Sequence, residues 1–380
     1  MNTALLSEDG APCCAGGITR LAVQDFRNYT SLALGIDASQ IVLTGANGIG
    51  KTNILEAISL LSPGRGLRGA KPQEWRRVDG PDPQRGWGVS LRLEEGTMLN
   101  TTSPDGKPDS QRRIVRHQGI ALESQALLAD YAAIVWLTPQ MDGLFLDEAA
   151  ERRKFIDRLV YAVNPYHALH LQHYEYALRQ RNKMLKDKAP FALVKSLHPV
   201  LVAEGIAIAA GRLEVTQQLN DALSKMATPF PVPSLYWQGQ VENWLAAGSA
   251  MEAERSYAAG LEANIENDRM IGQTRLGVHR SDVLTIHTQK NMPAFQCSTG
   301  EQKALLLSLV LAHAQWLKTI APERPLILLL DDITAHFDQD RRADIFDWVR
   351  QLPAQTWLTG THAEDFTPLL GAARHLTLPF

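Results

Sequence analysis

Eight consecutive residues, Gly45-Ala46-Asn47-Gly48-Ile49-Gly50-Lys51-Thr52, have the types and spacing to grip phosphate. Their glycines let the backbone fold tightly enough to aim N–H groups at one point, where the positive end of the following helix also acts. Lys51 supplies a cation for β- and γ-phosphates. Thr52 supplies a hydroxyl for Mg²⁺, an ion that bridges protein and phosphates rather than filling an all-protein cage. A second group is Asp331-Asp332, directly after Leu326-Ile327-Leu328-Leu329-Leu330. An uninterrupted apolar run predicts a strand buried on both faces, and acids at its C-terminal end stand where open α/β sheets bind ligands. Asp331 is then expected to order the water shell of Mg²⁺ beside Thr52. Asp332 is expected to be the catalytic carboxylate that polarises an attacking water. An acid pair capping a helix is the competing structural reading. The third group, Ser298-Thr299-Gly300-Glu301, has capping-box spacing ahead of the apolar helix 304–316, which also makes it a potential anion site; local residues do not choose between the two.

The elements around these groups are predicted as follows. The pattern G-x-x-x-x-G-K-[ST] needs a strand before it and a helix after it, and Ile41-Val42-Leu43 and residues 51–61 meet both needs. Residues 18–26 alternate as an edge strand and 31–36 as a second strand. Residues 86–93 and 112–118 read as paired strands across the turn-rich 101–110, and 132–137 as a short buried strand ending at Thr138-Pro139-Gln140. From Asp147 the pattern turns helical: 151–159, a helix after Pro165, one over 193–226 and one over 249–266, without the sustained heptads of a long coiled coil. The basic residues of 152–188 are partly interleaved with Tyr166, Tyr174 and Tyr176, which suits solvated helix faces or a DNA-facing surface. The basic loop with Arg65, Arg68, Lys71, Arg76 and Arg77 reads equally as a phosphate contact or a solvated loop.

The expected organisation is a leader over 1–17, an α/β head in two halves over 18–144 and 272–380, and a helical lobe over 145–271. A chain of 380 residues is long enough for two or three domains. Its net charge of −3 means that any nucleic-acid binding needs local basic patches. Cys13, Cys14 and Cys297 suit neither a disulfide framework nor a zinc site, and a reducing cytoplasm is the expected compartment. The longest uninterrupted apolar runs are too short to span a bilayer, so no membrane partner is expected.

The order of the motifs resembles ABC-type P-loop ATPase heads: phosphate loop, Pro-Gln turn, Ser-x-Gly-Glu helix start, apolar strand with paired acids, Asp338, and His362 after another strand. Further stretches are similar to the RecF family of bacterial recombination mediators, nearly throughout from Ile18. They are Asp25-Phe26-Arg27-Asn28-Tyr29, residues 51–58, Gly64 to Arg68, Glu151 to Arg158 and Gly277-Val278-His279-Arg280-Ser281-Asp282. The resemblance implies an ABC-type head with an inserted, mainly helical second lobe, binding ATP and Mg²⁺. It also implies ATP-dependent homodimerisation on double-stranded and gapped DNA, slow ATP hydrolysis, partnership with RecR and RecO, and help in loading RecA. By the same resemblance, residues 45–52, Arg27 and Arg65 contact nucleotide and Gln140 serves as nucleotide contact and metal ligand. Ser298, Gly300 and Glu301 act as the signature turn, and His362, with Lys51 and Asp332, takes part in catalysis. Two departures are Asp332 where most such heads carry Glu, and His336 within the run that leads to Asp338. An SMC-like DNA clamp and a transporter ATPase subunit share the head and are the alternative readings; the size of the helical insert weighs against the transporter.

Overall fold

The computed structural model describes residues 16–77, 86–104, 110, 112–337 and 339–378; Cys13, Cys14, most of the expected leader and Asp338 lie outside them. In chain order, β1 (Ile18–Phe26), β2 (Tyr29–Gly35) and β3 (Gln40–Thr44) lead into α1 (Lys51–Ser59) and the single turn α2 (Pro72–Trp75). β4 (Gly88–Leu93), β5 (Met98–Thr102), β6 (Ile114–His117), β7 (Ile120–Ala121) and β8 (Ala133–Leu137) follow. Next come α3 (Ala149–Tyr161), α4 (Tyr166–Lys186), α5 (Phe191–Lys195), α6 (His198–Lys225), β9 (Pro233–Gln238), α7 (Gln240–Ala247), α8 (Ala250–Ala263), α9 (Ile265–Ile271), β10 (Asp282–His287) and β11 (Met292–Pro293). The last elements are α10 (Thr299–Ile320), β12 (Leu326–Leu330), α11 (Gln339–Gln351), β13 (Gln355–Gly360), α12 (Thr367–Leu370) and β14 (Arg374–Thr377). Two compact units result: residues 1–141 with 313–380, and residues 142–312. The division differs from the expected return to the head at 272. β10 pairs with β9 rather than with a head strand, so residues 272–312 stay with the helical unit.

The first unit holds a parallel sheet of order β14-β3-β13-β12-β8 and an antiparallel sheet of order β2-β1-β4-β5-β6-β7. Ile41, Leu43, Ile134, Trp136, Ile327, Leu329 and Trp357 alternate along the parallel strands and join one core with Ile54, Leu55 and Ile58 of α1 and Leu21, Val89 and Leu91 of the antiparallel sheet. Residues between them, such as Val42, Val135 and Leu328, are buried on the other face, which is why these strands read as continuous apolar runs. Gln355 stitches the sheets together: its side chain accepts from Ile18 N (2.9 Å) and donates to Ile18 O (2.9 Å) and Ala38 O (3.1 Å).

Two strand expectations are corrected. β1 is an interior strand, flanked by β2 and β4, because alternation reports a buried face and says nothing about lateral neighbours. The stretches at 86–93 and 112–118 do not pair with each other, since β5 lies between them. β5 buries only Leu99 and Thr101, too little apolar signal to mark a strand.

The second unit packs α6 against α3, α4, α7, α8 and β9, beside the small sheet β11-β10-β9. The single helix expected over 193–226 is two, because Pro199 stands in the first turn of α6, where proline starts a helix. The stretch Phe191–Lys225 is long and apolar enough to cross a membrane by length and composition alone. That narrows the expectation from uninterrupted runs alone. α6 nevertheless carries buried Arg212, which grips Asp157 of α3 through both carboxylate oxygens (2.8 Å each) and donates to Val278 O (2.9 Å).

This network joins two of the sequence stretches singled out above, residues 151–158 and 277–282. Arg152 holds Asp282 (2.8 and 2.7 Å), Arg153 donates to Ser281 O (2.6 Å), and His167 meets Asp157 (2.9 Å). The basic helix residues also divide: Arg181 is fully buried against Asp268 (2.7 Å), Tyr174 is core, and Tyr166 and Tyr176 are exposed.

Burial alone would raise the Asp157 carboxyl from 3.8, but the charge and hydrogen bonds of Arg212, then those of His167, overrule it and hold it down to about 2. A depressed carboxyl stabilises the fold above its unfolded value and loses that contribution as pH falls toward the folded one. The chain should lose about 2 kcal/mol from this group as pH drops from about 4 to about 2. Denaturation midpoints followed down through this range should show a shallower acid slope in Asp157→Asn than in the wild type, from a lower starting stability. Equal slopes would remove Asp157 as the cause.

Candidate nucleotide site

The C-terminal edge of the parallel sheet gathers most of the predicted site. β3 ends at Thr44 and runs straight into Gly45, and in register beside it β13 ends at Gly360 opposite Thr44. β12 ends at Leu330 opposite Leu137 of β8, so Asp331 and the Pro139-Gln140 turn leave from the same edge. Gly45, Gly48 and Gly50 all take positive φ (146°, 82° and 117°). At Gly50 a side chain is excluded twice over, since a Cβ would also lie 2.6 Å from the Tyr29 hydroxyl and 2.7 Å from Asn28 Nδ2. Those neighbours fasten the loop from outside: Asn28 donates to Ile49 O (2.9 Å) and Tyr29 to Gly50 O (3.2 Å).

Three observations fit this loop to a phosphate and a divalent cation. α1 starts at Gly50 with no side-chain cap and no acid in its first turn, leaving its first N–H groups to an outside anion. The Lys51 ammonium is buried and folds back on Gly45 O (2.7 Å) and Ala46 O (3.1 Å). Thr52 Oγ1 donates to Asp331 Oδ1 at 3.0 Å, so a hydroxyl and a carboxylate stand together as hard oxygen donors. Among the described residues no cluster of three or more His, Cys, Asp or Glu could hold a metal by itself.

Burial, with the charge of Asp332 adding to it, raises the Asp331 carboxyl above its ordinary value; hydrogen bonds from Thr359 and Thr52 and the charge of Arg68 oppose the rise. A cation beside it would favour the ionised form. Asp332 follows with φ 47°, a left-handed conformation uncommon for a residue with a side chain. Asn47 is exposed at the loop tip and reached by Thr361 Oγ1 (3.5 Å), next to exposed His362. Gln140 is exposed in its turn.

Arg27 behaves differently from a simple phosphate contact. Its Nε and Nη2 bind the two oxygens of Glu56 (2.8 and 2.5 Å), and Nη1 donates to Glu74 O (2.7 Å). Glu56, on α1, is fully buried and also receives Nη1 of Arg68 (3.2 Å), which Asn53 Oδ1 accepts from as well (2.7 Å). Arg65 is exposed on the same loop. Buried Arg113, the residue before β6, clamps the start of this loop, donating to the carbonyls of Leu60, Ser62 (2.9 Å) and Gly64 (3.0 Å). Burial lowers its guanidinium to about 9, still charged at neutral pH.

Ser298, Gly300 and Glu301 belong to the second unit, where they open α10. The capping box forms: Glu301 Oε2 accepts from both Ser298 N (3.0 Å) and Ser298 Oγ (2.8 Å). Glu301 Oε1 binds Lys290, and the two partners, Lys290 first, hold the Glu301 carboxyl down to about 2. Cys297 is buried just before them, its thiol facing Pro293 O.

No protein-family model matches the sequence. The DNA replication and repair protein RecF of Rhizobium meliloti (strain 1021) is 40% identical over 366 residues, covering 95% of this chain and 96% of that protein. The chain belongs to the RecF family. A solved RecF-ATP structure, of the recombination mediator protein of the RecFOR pathway, superimposes with a TM-score of 0.80 at 21% identity, covering 94% of this chain and 95% of that one. The Smc head domain of Pyrococcus furiosus shares the fold more distantly, with a TM-score of 0.50 at 15% identity, covering 93% of this chain and 91% of that one. The fold is thus that of RecF and SMC heads, mixed α/β with a parallel and an antiparallel sheet.

Of the stretches that resembled RecF in the sequence, residues 25–29, 51–58 and 64–68 meet around Glu56 and the phosphate loop, whereas 151–158 and 277–282 meet in the core of the second unit. Glu56, Arg113 and Thr359 have no role that residue pattern alone reveals. Glu56 had a usable signal, an acid five residues beyond Lys51 on an otherwise apolar helix. Glu56→Ala would leave two guanidinium groups without their carboxylate, and unfolding in urea should show a loss of about 3 kcal/mol. Glu56→Gln should lose less; a loss within measurement error for Glu56→Ala would mean that the arginines find other partners.

Proposed function

We propose that this protein is an ATP-binding DNA replication and repair protein, a recombination mediator whose self-association on DNA is driven by bound Mg·ATP. The observation that carries the reading is the 3.0 Å contact between Thr52 and Asp331, made beside an uncapped helix start and a buried lysine. That combination supports Mg²⁺ held by Thr52 and Asp331, with Gln140 at the same sheet edge. Mg²⁺, when bound, would offset the negative charge of the phosphate oxygens.

The chain's own groups do the rest. Backbone N–H groups of residues 45–52 hold the phosphates, Lys51 turns from its two carbonyls to them, and Arg65 and Asn47 are exposed to approach from the loop tips. Asp332 orients water, and His362 stands at the same edge. A shorter acid at 332 suits slow turnover, because positioning and charge stabilisation are what phosphoryl transfer asks of a protein. Arg27 acts through Glu56 rather than by touching nucleotide.

Ser298 and Gly300 of a second copy are proposed to complete the site, so that ATP favours the dimer over the monomer. DNA contacts are proposed to go mainly to the backbone, with affinity falling steeply with salt and little base preference. RecR and RecO as partners, help in loading RecA at gapped DNA, and a cytoplasmic location belong to the same reading.

Lys51→Ala should abolish ATP binding, read by equilibrium dialysis, and with it any Mg·ATP-dependent shift in sedimentation; a variant that still dimerises with ATP would sink the phosphate-loop assignment. Ser298→Arg should leave ATP binding to the single chain unchanged while the shift disappears. Loss of both together would mean that Ser298 does not act across two copies.

A further inference from the structure

We propose that Thr359 is the positioning residue of the acid pair, a role that rests on the reading of Asp331 and Asp332 as serving Mg·ATP. β13 lies between β3 and β12 in the parallel sheet, and its pairing with β12 runs to Leu358 opposite Leu330. The next residue along, fully buried Thr359, therefore stands level with Asp331. Its hydroxyl donates to Asp331 Oδ1 at 2.8 Å and accepts from Asp332 N–H at 2.7 Å.

A hydroxyl carries one proton, so serving as donor to one acid and acceptor from the next backbone N–H fixes its rotor and joins both residues through one atom. Two consequences follow. Asp331 Oδ1 receives Thr52 from the first turn of α1 and Thr359 from the end of β13, which orients the carboxylate from two different elements. Asp332 keeps its φ of 47° with its N–H anchored on Thr359 and its carbonyl closing a turn to Ala335 N (3.1 Å). Strained backbone of this kind persists only where the surroundings over-determine it, and Thr359 supplies one of those constraints.

Valine has nearly the shape of threonine, so Thr359→Val removes the hydroxyl and little else. Its absence leaves the Asp332 N–H without an acceptor and lets the Asp331 carboxylate turn. Titrating Mg²⁺ into the full chain with a fluorescent ATP analogue should show half-saturation at about tenfold higher Mg²⁺ in Thr359→Val, the size of one lost hydrogen bond to a charged group. Affinity measured without Mg²⁺ should match the wild type, because the loop and Lys51 are untouched, and turnover at saturating Mg²⁺ should fall. Thr359→Ser, which keeps the hydroxyl and loses the methyl group, should restore both.

A Thr359→Val chain with wild-type Mg²⁺ dependence overturns the proposal. So does a Thr359→Ser chain as defective as Thr359→Val, since packing of the methyl group would then be what matters. If the wild type itself binds nucleotide with no response to Mg²⁺, the reading of the acid pair fails and takes this role with it.

Discussion

One hydrogen bond, from Thr52 to Asp331, joins residues 279 positions apart, and the geometry of the first unit is arranged to make it. Thr52 is set by the loop that leaves β3 and by the first turn of α1; Asp331 is set by the end of β12. The two strands are not neighbours, because β13 separates them. Bringing their ends together therefore requires that all three stop at one level, with only a small side chain at the end of β13. Parallel pairing delivers that alignment, since every strand points the same way and every C-terminal end reaches the same edge. The apolar runs of β3, β8 and β12, buried on both faces, keep the sheet rigid beneath it.

Much of this edge was legible from residue order alone. A glycine-rich loop with Lys and Thr, flanked by a strand and a helix, names its own chemistry, and an apolar run closed by two acids names a strand end. What stayed hidden depends on lateral placement. Nothing in Ile18 to Phe26 says whether the strand has one neighbour or two, and β5 buries too few apolar side chains to be seen. Thr359 is illegible for the same reason, because a threonine near the end of a strand has no meaning until the neighbouring strands are known. The pairing of Arg27 with Glu56 stayed hidden, since the carboxylate lies 29 residues away on a helix whose other core positions are mostly apolar. The division at residues 141–142 and 312–313 was hidden because it follows the β9–β10 pairing, a contact between residues about fifty apart.

The two units handle buried charge in different ways. In the second, arginines from two helices meet aspartates from two others: Arg212 with Asp157 and Arg181 with Asp268, each pair further satisfied by carbonyls or hydroxyls. Such pairs break even at best against apolar packing, yet removing one partner is costly, so they specify one arrangement of helices more than they add stability. The absence of heptads fits that design, because a body fixed by a few directional contacts needs no repeating seam. In the first unit, Arg113 is buried without a carboxylate within hydrogen-bond reach among its described contacts and instead satisfies carbonyls at the end of α1 and in the loop beyond it. A cation at a helix C-terminus meets the negative end of the dipole, so here the charge serves as a cap.

These local arrangements explain how a chain of net charge −3 can present an anion-binding edge. The acid nearest the phosphate loop on α1, Glu56, is buried and neutralised by two arginines, so it adds no negative field of its own. The group that remains, Glu56 with Arg27 and Arg68, carries one net positive charge, and the charge of Arg68 acts on Asp331. The same economy holds at Ser298, where the half-buried acid Glu301 is paired with Lys290. Potential at a site is set by charges within about a Debye length, roughly 8 Å at physiological salt, so distant surface acids weigh little against a buried lysine and an uncapped helix start. Net charge was therefore a poor guide to this chain. The field that matters is built by which acids are buried with partners and which cations are left facing outward.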